Sequence, residues 1–328
     1  MRKGLNKMRA VVLEKPVNAN DLIVTNIPIP HVKPGWVLIE IKGFGINRSE
    51  LFTRKGQSPS VMLPRVLGIE CVGEIFDPSD SGFKKGQRVI SMMGGLGRNF
   101  DGSYAEYTLI PTSQVYAVDI DMDWPEFAAI PEMYYTAWCS LVDTLKVKEN
   151  ETLLVRGATS SIGLASIQIA KEIGVKVVAT TRNIDKINVL KSIGADVVII
   201  DNETFPIEMN NQFPNGFDKI LELVGTTTLL SSFKVLKKGG ILCMSGILGG
   251  KWEIEHFAPM DYIPSGSYFT IYDSQIVNVD SLNTMIQFIK NRRLKPIISS
   301  IFTLEEISKA HVLMEENRAL GKIVIKVD

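Results

Sequence analysis

The sequence predicts an α/β protein of two parts, a β-rich module and a doubly wound parallel sheet inserted into it. Three observations predict this class. The first third is a series of short apolar or alternating segments closed by Gly, Pro, Asn or Asp, the pattern of strands in a barrel or sandwich. The middle alternates strand-like runs with helical periodicity, the pattern of βαβ units. The tail ends on a strand-like run after helical segments, and so is placed to rejoin the first module.

Along the chain, Trp36 to Ile41, Cys71 to Ile75, Gln87 to Met92 and Ala105 to Ile110 read as strands. From about Glu126 the periodicity changes. Phe127, Ala128, Ile130, Met133, Ala137, Trp138 and Leu141 recur at helical spacing, which predicts one long helix. Thr152 to Arg156 is then a strand, Ser161 to Ile173 a helix, Val175 to Thr180 a strand and Asp185 to Ile193 a helix. Val197 to Ile200 and Phe217 to Leu223 are further strands, and Gly240 to Ser245 continues the sheet. Amphipathic helices near Ser281 to Lys290 and Leu304 to Glu316 precede the closing strand Lys322 to Lys326. A chain of 328 residues exceeds the usual single core. The expected division is a β-rich domain from residues 1–125 and 275–328, with a nucleotide-binding domain over 126–274.

Charge and composition narrow the partners. The 36 basic residues balance 36 acidic ones, which removes the electrostatic footprint of a nucleic-acid or anionic-membrane binder and points to a small-molecule substrate. The basic N-terminus has an apolar stretch of only Ala10 to Leu13, too short for a signal-peptide core, and no run has the length to span a bilayer. A cytoplasmic location is expected. Cys71, Cys139 and Cys243 are odd in number, widely spaced and in apolar surroundings, as reduced, buried thiols are.

The cofactor signal is the turn Gly157-Ala158-Thr159-Ser160-Ser161-Ile162-Gly163 between a strand and a helix. Small residues let the backbone approach a pyrophosphate, the helix N-terminus supplies N–H groups and a favourable dipole, and Ser160 and Ser161 add hydroxyl donors. It is not the plain GxGxxG, and its weight comes from its placement. The second strand ends in Thr180-Thr181-Arg182-Asn183 with no acid before Asp185. An acid there would accept from an unphosphorylated ribose, whereas the Arg182 guanidinium suits a phosphate, so NADPH is the expected cofactor.

The chain resembles the medium-chain dehydrogenase/reductase superfamily, specifically its zinc-free quinone reductase branch, which includes the zeta-crystallins. The resemblance runs from Met8 through Gly43-Phe44-Gly45-Ile46-Asn47-Arg48-Ser49-Glu50, Leu67-Gly68-Ile69-Glu70-Cys71-Val72-Gly73 and Gly102-Ser103-Tyr104-Ala105-Glu106-Tyr107. It continues through the Gly157 to Gly163 turn and Gly194-Ala195-Asp196 to Gly321-Lys322-Ile323-Val324. It implies a GroES-like catalytic domain from both chain ends and a central Rossmann domain, with residues 1 to 7 as an extension. It also implies positions for site residues. Asn47 lies near nicotinamide and substrate, Thr136 beside the nicotinamide, Ser160, Ser161, Ile162 and Gly163 on the pyrophosphate, and Thr181, Arg182 and Lys186 at the adenosine ribose and 2′-phosphate. Gly225, Gly246 and Ile247 follow the cofactor, and Phe269 and Thr270 approach the nicotinamide.

The sister branch of zinc alcohol dehydrogenases carries a Cys where this chain has Asn47 and a His where it has Ile69. It also has a four-Cys cluster where Ser91 to Gly102 has none. Ile69 has no lone pair and a neutral amide is a poor zinc ligand, so no metal is expected. His31, His256 and His311 share no metal-like spacing with a Cys. Many family members have Tyr at Phe52, whose hydroxyl is missing here.

Without a Lewis acid the chemistry suited to the site is hydride transfer to a quinone or an α,β-unsaturated carbonyl. The developing negative charge needs a few placed donors, for which Asn47, Thr136 and backbone N–H groups are candidates, and the proton comes from solvent or Tyr135. Tyr135 has the competing reading of a packed ring. Two other readings stay open: a relative of the zinc alcohol dehydrogenases that lost its zinc and acts on another carbonyl, and a non-catalytic NADPH-binding protein. The aromatic, uncharged run Gly266 to Tyr272 reads as an exposed sheet edge and predicts a homodimer.

Overall fold

The computed structural model describes residues 6–273 and 275–328. Residues 1 to 5 of the expected extension therefore lie outside the described residues. The chain divides into two compact units, one running to Glu132 and resuming at Gln275, the other beginning at Met133. The division falls later than the change in periodicity near Glu126, because the helix Trp124–Ala128 packs on the strand Trp36–Gly45 of the first unit.

The first unit is built on Trp36–Gly45, which pairs antiparallel with Glu70–Asp77, with Tyr107–Pro111 and with Lys322–Lys326. The C-terminal strand thus enters the sheet begun near the N-terminus, as the sequence predicts. Alternating residues Val37, Ile39 and Ile41 are fully buried, joined by Phe44, Ile75, Ile323 and Ile325. Phe44 stacks on Tyr104 at 4.9 Å. Burial of each such side chain contributes about 1.5–3 kcal/mol, which fixes the register of the strands that carry the polar residues described below.

The second unit is a parallel sheet of six strands: β1 (Thr152–Arg156), β2 (Lys176–Thr181), β3 (Val197–Ile200), β4 (Phe217–Glu222), β5 (Leu236–Met244) and β6 (Tyr268–Ile271). Their spatial order is 3-2-1-4-5-6, the doubly wound order, and every adjacent pair is parallel. Central strands read as unbroken apolar runs because both faces are covered, and Leu153, Leu154 and Val155 are all fully buried. The helices are α1 (Ser161–Ile173), α2 (Ile187–Ser192), α3 (Phe205–Gln212) and α4 (Thr226–Phe233). α1 presents Leu164, Ile167 and Ala170 inward and stops at Gly174, whose φ of +89° is the left-handed cap a glycine adopts freely.

One predicted element is corrected. The single long helix over 127–141 is instead Trp124–Ala128 and Pro131–Trp138, the latter followed by a π-helical turn at Cys139–Thr144. Pro131 cannot donate to the carbonyl four residues earlier, and its ring pushes Ile130 out of helical conformation, so a helix begins there and none passes through. Among the described residues no helix is long and apolar enough to cross a membrane.

Candidate functional site

In the second unit, the carboxyl ends of the strands gather most of the predicted cofactor residues. The turn after β1 bends through Gly157 at φ +81°. Ser160 caps α1, its Oγ accepting the Gly163 N–H at 3.1 Å and donating to the Gly157 carbonyl at 2.9 Å. As the N-cap, Ser160 donates its hydroxyl proton within the turn. Ser161 and Ile162 are half-buried in the first turn of the helix. A Cβ on Gly163 would lie 2.6 Å from the Ala158 carbonyl oxygen, so helix and turn close tightly only with glycine there.

After β4, Gly225 (φ +93°) begins α4, and a Cβ on it would stand 2.9 Å from the Gly246 carbonyl oxygen and 3.2 Å from Ile247 Cα. Gly225, Gly246 and Ile247 are thus in contact. Thr181 is buried at the end of β2, its hydroxyl donating to the Asn183 carbonyl, while Arg182 is exposed and Lys186 half-buried. Phe269 and Thr270 lie within β6, opposite Leu242 and Cys243, and the Phe269 ring packs edge-on against Phe233. Thr136 is buried on Pro131–Trp138. Tyr135 is 1% exposed.

Beneath these turns runs a buried network that sequence reasoning missed. Arg156, the last residue of β1, forks onto Asp201, with Nε 2.8 Å from Oδ2 and Nη2 2.6 Å from Oδ1. Its Nη1 donates to Ser231 Oγ, Ser232 Oγ and the Thr228 carbonyl of α4, and its plane lies 4.1 Å from the Phe205 ring centroid. Glu222, fully buried at the end of β4, accepts from the Val224 and Gly225 N–H groups, from Thr228 and from Ser232. Burial raises the Glu222 carboxyl above its ordinary range, against the pull of Arg156. The available signal was a charged residue ending an otherwise apolar central strand.

In the first unit, Asn47 precedes the helix Arg48–Arg54 but does not cap it with its side chain. Instead Nδ2 donates to Glu70 Oε1 at 2.8 Å, and Oδ1 accepts from Lys322 Nζ at 2.6 Å. Lys322 and Glu70 form an ion pair of 2.6 Å with both side chains buried, and Glu70 Oε2 accepts the Glu132 N–H. Gly45 makes room for this group, since a Cβ there would overlap Lys322 Cε at 2.0 Å. Glu50 completes it, accepting from Ser49 Oγ at 2.9 Å and from the Ile69 N–H at 3.3 Å. Burial, with Glu70 adding to it and Lys322 opposing, moves the Glu50 carboxyl up to about 7. Lys322, Glu50 and Glu70 all lie in the motifs quoted for the resemblance, yet a single sequence gives no sign that they meet.

Residues 33–120 match the family model described as alcohol dehydrogenase GroES-like domain, and residues 193–325 the one described as zinc-binding dehydrogenase. Curated relatives include the quinone oxidoreductases of Sus scrofa and Homo sapiens, each 29% identical over 311 residues that cover 92% of this chain and 92% of theirs. A solved structure titled as an NAD-dependent alcohol dehydrogenase superposes with a TM-score of 0.87 at 28% identity, over 98% of this chain and all of that one.

Proposed function

The chain belongs to the medium-chain dehydrogenase/reductase superfamily, and from that premise we propose that it uses NADPH to reduce a quinone or an α,β-unsaturated carbonyl without a metal. Membership makes it an oxidoreductase dependent on a nicotinamide dinucleotide. The acceptor, the choice of NADPH and metal independence are the proposed part.

The observation that carries the reading is the glycine-rich turn at the point where the strand order reverses, between β1 and β4. Ligands of doubly wound sheets bind at that switch point, outside the carboxyl ends of the strands. Ser160, Ser161, Ile162 and Gly163 would face the pyrophosphate with backbone groups of the α1 N-terminus, and Gly225, Gly246 and Ile247 would line the continuation. Thr181, Arg182 and Lys186 would take the adenosine end. The exposed guanidinium beyond β2, with no acid before Asp185, favours a 2′-phosphate.

The residues present do not fit the zinc that one family description implies. Two positions that hold ligands in zinc relatives are Asn47 and Ile69, and the Lys322 ammonium already lies within hydrogen-bond reach of Asn47 and Glu70. A divalent cation at that place would face a buried positive charge. The proposed hydride transfer therefore uses no metal. NADPH, when bound, supplies the hydride. Asn47 is the proposed residue of the β-rich unit on the substrate side, oriented by Lys322 and Glu70, while Thr136 and Phe269-Thr270 are proposed at the nicotinamide. Because Tyr135 is enclosed, the proton is assigned to solvent.

The test is loss of NADPH absorbance with a p-quinone, an enone and a saturated ketone, and its gain from NADP⁺ with a primary alcohol, each with and without chelator. Turnover of quinone or enone that chelator leaves unchanged is expected. Alcohol oxidation abolished by chelator would overturn the reading. Binding of NADPH with no turnover on any acceptor would replace it with a binding protein.

A further inference from the structure

Arg156 stands under the part of the sheet assigned above to the phosphorylated end of the dinucleotide, and its surroundings are unusual in sign. β3 delivers Asp201 beside the end of β2: the Asp201 N–H donates to the Thr181 carbonyl at 2.8 Å, one residue before Arg182. Asp201 Oδ2 also accepts from Thr180 Oγ1 at 3.3 Å, and that hydroxyl accepts the Gly157 N–H at 3.3 Å. A second carboxyl, Glu222, holds the turn before α4 through the Val224 and Gly225 N–H groups. The enclosed Glu222 carboxyl and the Asp201 carboxyl, 11% exposed, thus sit beneath turns proposed to hold phosphates, with one guanidinium facing them, 3% exposed.

We propose that Arg156 is a specificity-supporting positioning residue: by cancelling the Asp201 charge beneath the second-strand end, it lets this site accept a dinucleotide bearing a 2′-phosphate. The proposal rests on the assignment of the Gly157 to Gly163 turn and Arg182 to NADPH. Arg156 is 2% exposed, and no contact with phosphate or reacting atoms is proposed for it. It acts through Asp201, whose hydrogen bonds lock Thr180 and through it the Gly157 N–H, and through α4, whose first turn carries Gly225 and Thr228. A positioning role alone would affect NADPH and NADH alike. The charge argument separates them, because an uncompensated Asp201 repels the nucleotide with the extra phosphate more strongly.

The experiment is fluorescence titration of NADPH and NADH, at one ionic strength, against wild type, Arg156→Gln, Asp201→Asn and the double variant, with urea unfolding of each. Counting Asp201 and Glu222 as ionised, Arg156→Gln adds one negative charge beneath the turns, Asp201→Asn removes one, and the double variant restores the wild-type charge. Over roughly 10 Å at an effective dielectric near 20, one charge changes affinity about tenfold. Arg156→Gln is therefore expected to weaken NADPH about tenfold more than it weakens NADH, whose pyrophosphate feels the same added charge, and the double variant to return NADPH to within about threefold of wild type. Should Arg156→Gln fail to fold, Asp201→Asn alone decides, since it is expected to raise the preference for NADPH over NADH. Equal losses for both nucleotides without recovery in the double variant, or an unchanged preference in Asp201→Asn, would overturn the proposal. Wild type that binds neither nucleotide would instead remove the assignment on which it rests.

Discussion

Lys322 Nζ lies 2.6 Å from Glu70 Oε1, and the two side chains are 1% and 0% exposed. Residues far apart in the chain meet here because the last strand pairs antiparallel with Trp36–Gly45, which in turn pairs with Glu70–Asp77. Enclosure of this kind makes loss of one partner far more costly than loss of both. Lys322→Met is expected to destabilise the protein by about 3–5 kcal/mol, because Glu70 is left charged and enclosed. The double change Lys322→Met with Glu70→Gln should recover more than half of that loss. Urea unfolding of the single and double variants measures the difference, and a double variant no more stable than the single would contradict the argument.

Glu50 gives stability a pH dependence of defined sign. Its carboxyl lies at about 7 when folded against 4.5 as the ordinary value, so the folded state holds the proton more tightly. Stability from this group is therefore lost as pH rises from about 4.5 through about 7, by an amount on the order of 3 kcal/mol. Glu50→Gln keeps an acceptor for the Ile69 N–H and removes the titration. The variant should match wild type at pH 4.5 and exceed it at pH 8, in paired unfolding curves. A wild-type minus variant difference that stays flat across this range would show that Glu50 does not titrate there.

Arg182→Ala is expected to weaken NADPH selectively. A charge-assisted hydrogen bond is worth about 1.5–3 kcal/mol, which corresponds to roughly a 10- to 150-fold loss of affinity. NADH should bind almost as before. Both nucleotides must be titrated at one salt concentration, since an exposed pair is screened. Equal losses would indicate damage to the fold, and no loss would make Arg182 a surface residue.

Among the described residues β6 is one of the two edge strands of the six-stranded sheet, with Tyr268 65% and Ile271 57% exposed. A two-fold partner pairing at this edge would satisfy both copies at once, which is the basis for the proposed homodimer. Light scattering at micromolar concentration should report twice the monomer mass, and Tyr268→Lys with Ile271→Lys should give a monomer. A wild-type monomer would refute the dimer.

The parallel sheet was legible because its central strands are covered on both faces and so form unbroken apolar runs. Thr152–Arg156, Val197–Ile200 and Ser161–Ile173 are found where the pattern places them. The helix over 127–141 was misread because helical spacing on both sides of Pro131 concealed its missing N–H. Of the site, the glycine-rich turn was legible from its place between strand and helix. The charged networks were not, since Asn47 and Lys322 are 275 positions apart and Arg156 and Asp201 are 45 apart. Such pairs are set by strand order, which one sequence does not display.

All three cysteines are enclosed and unpaired in disulfides, and burial pushes the Cys71 and Cys139 thiols up to about 12 and the Cys243 thiol up to about 11. The nucleophile in sulfur chemistry is the thiolate, so at neutral pH these side chains are nearly inert. Quinones and enones are alkylating agents as well as hydride acceptors. A catalyst that meets them at every turnover is exposed to covalent self-inactivation through any ionised, accessible sulfur. With its thiols enclosed and protonated, this protein is built to outlast the electrophiles it is proposed to consume.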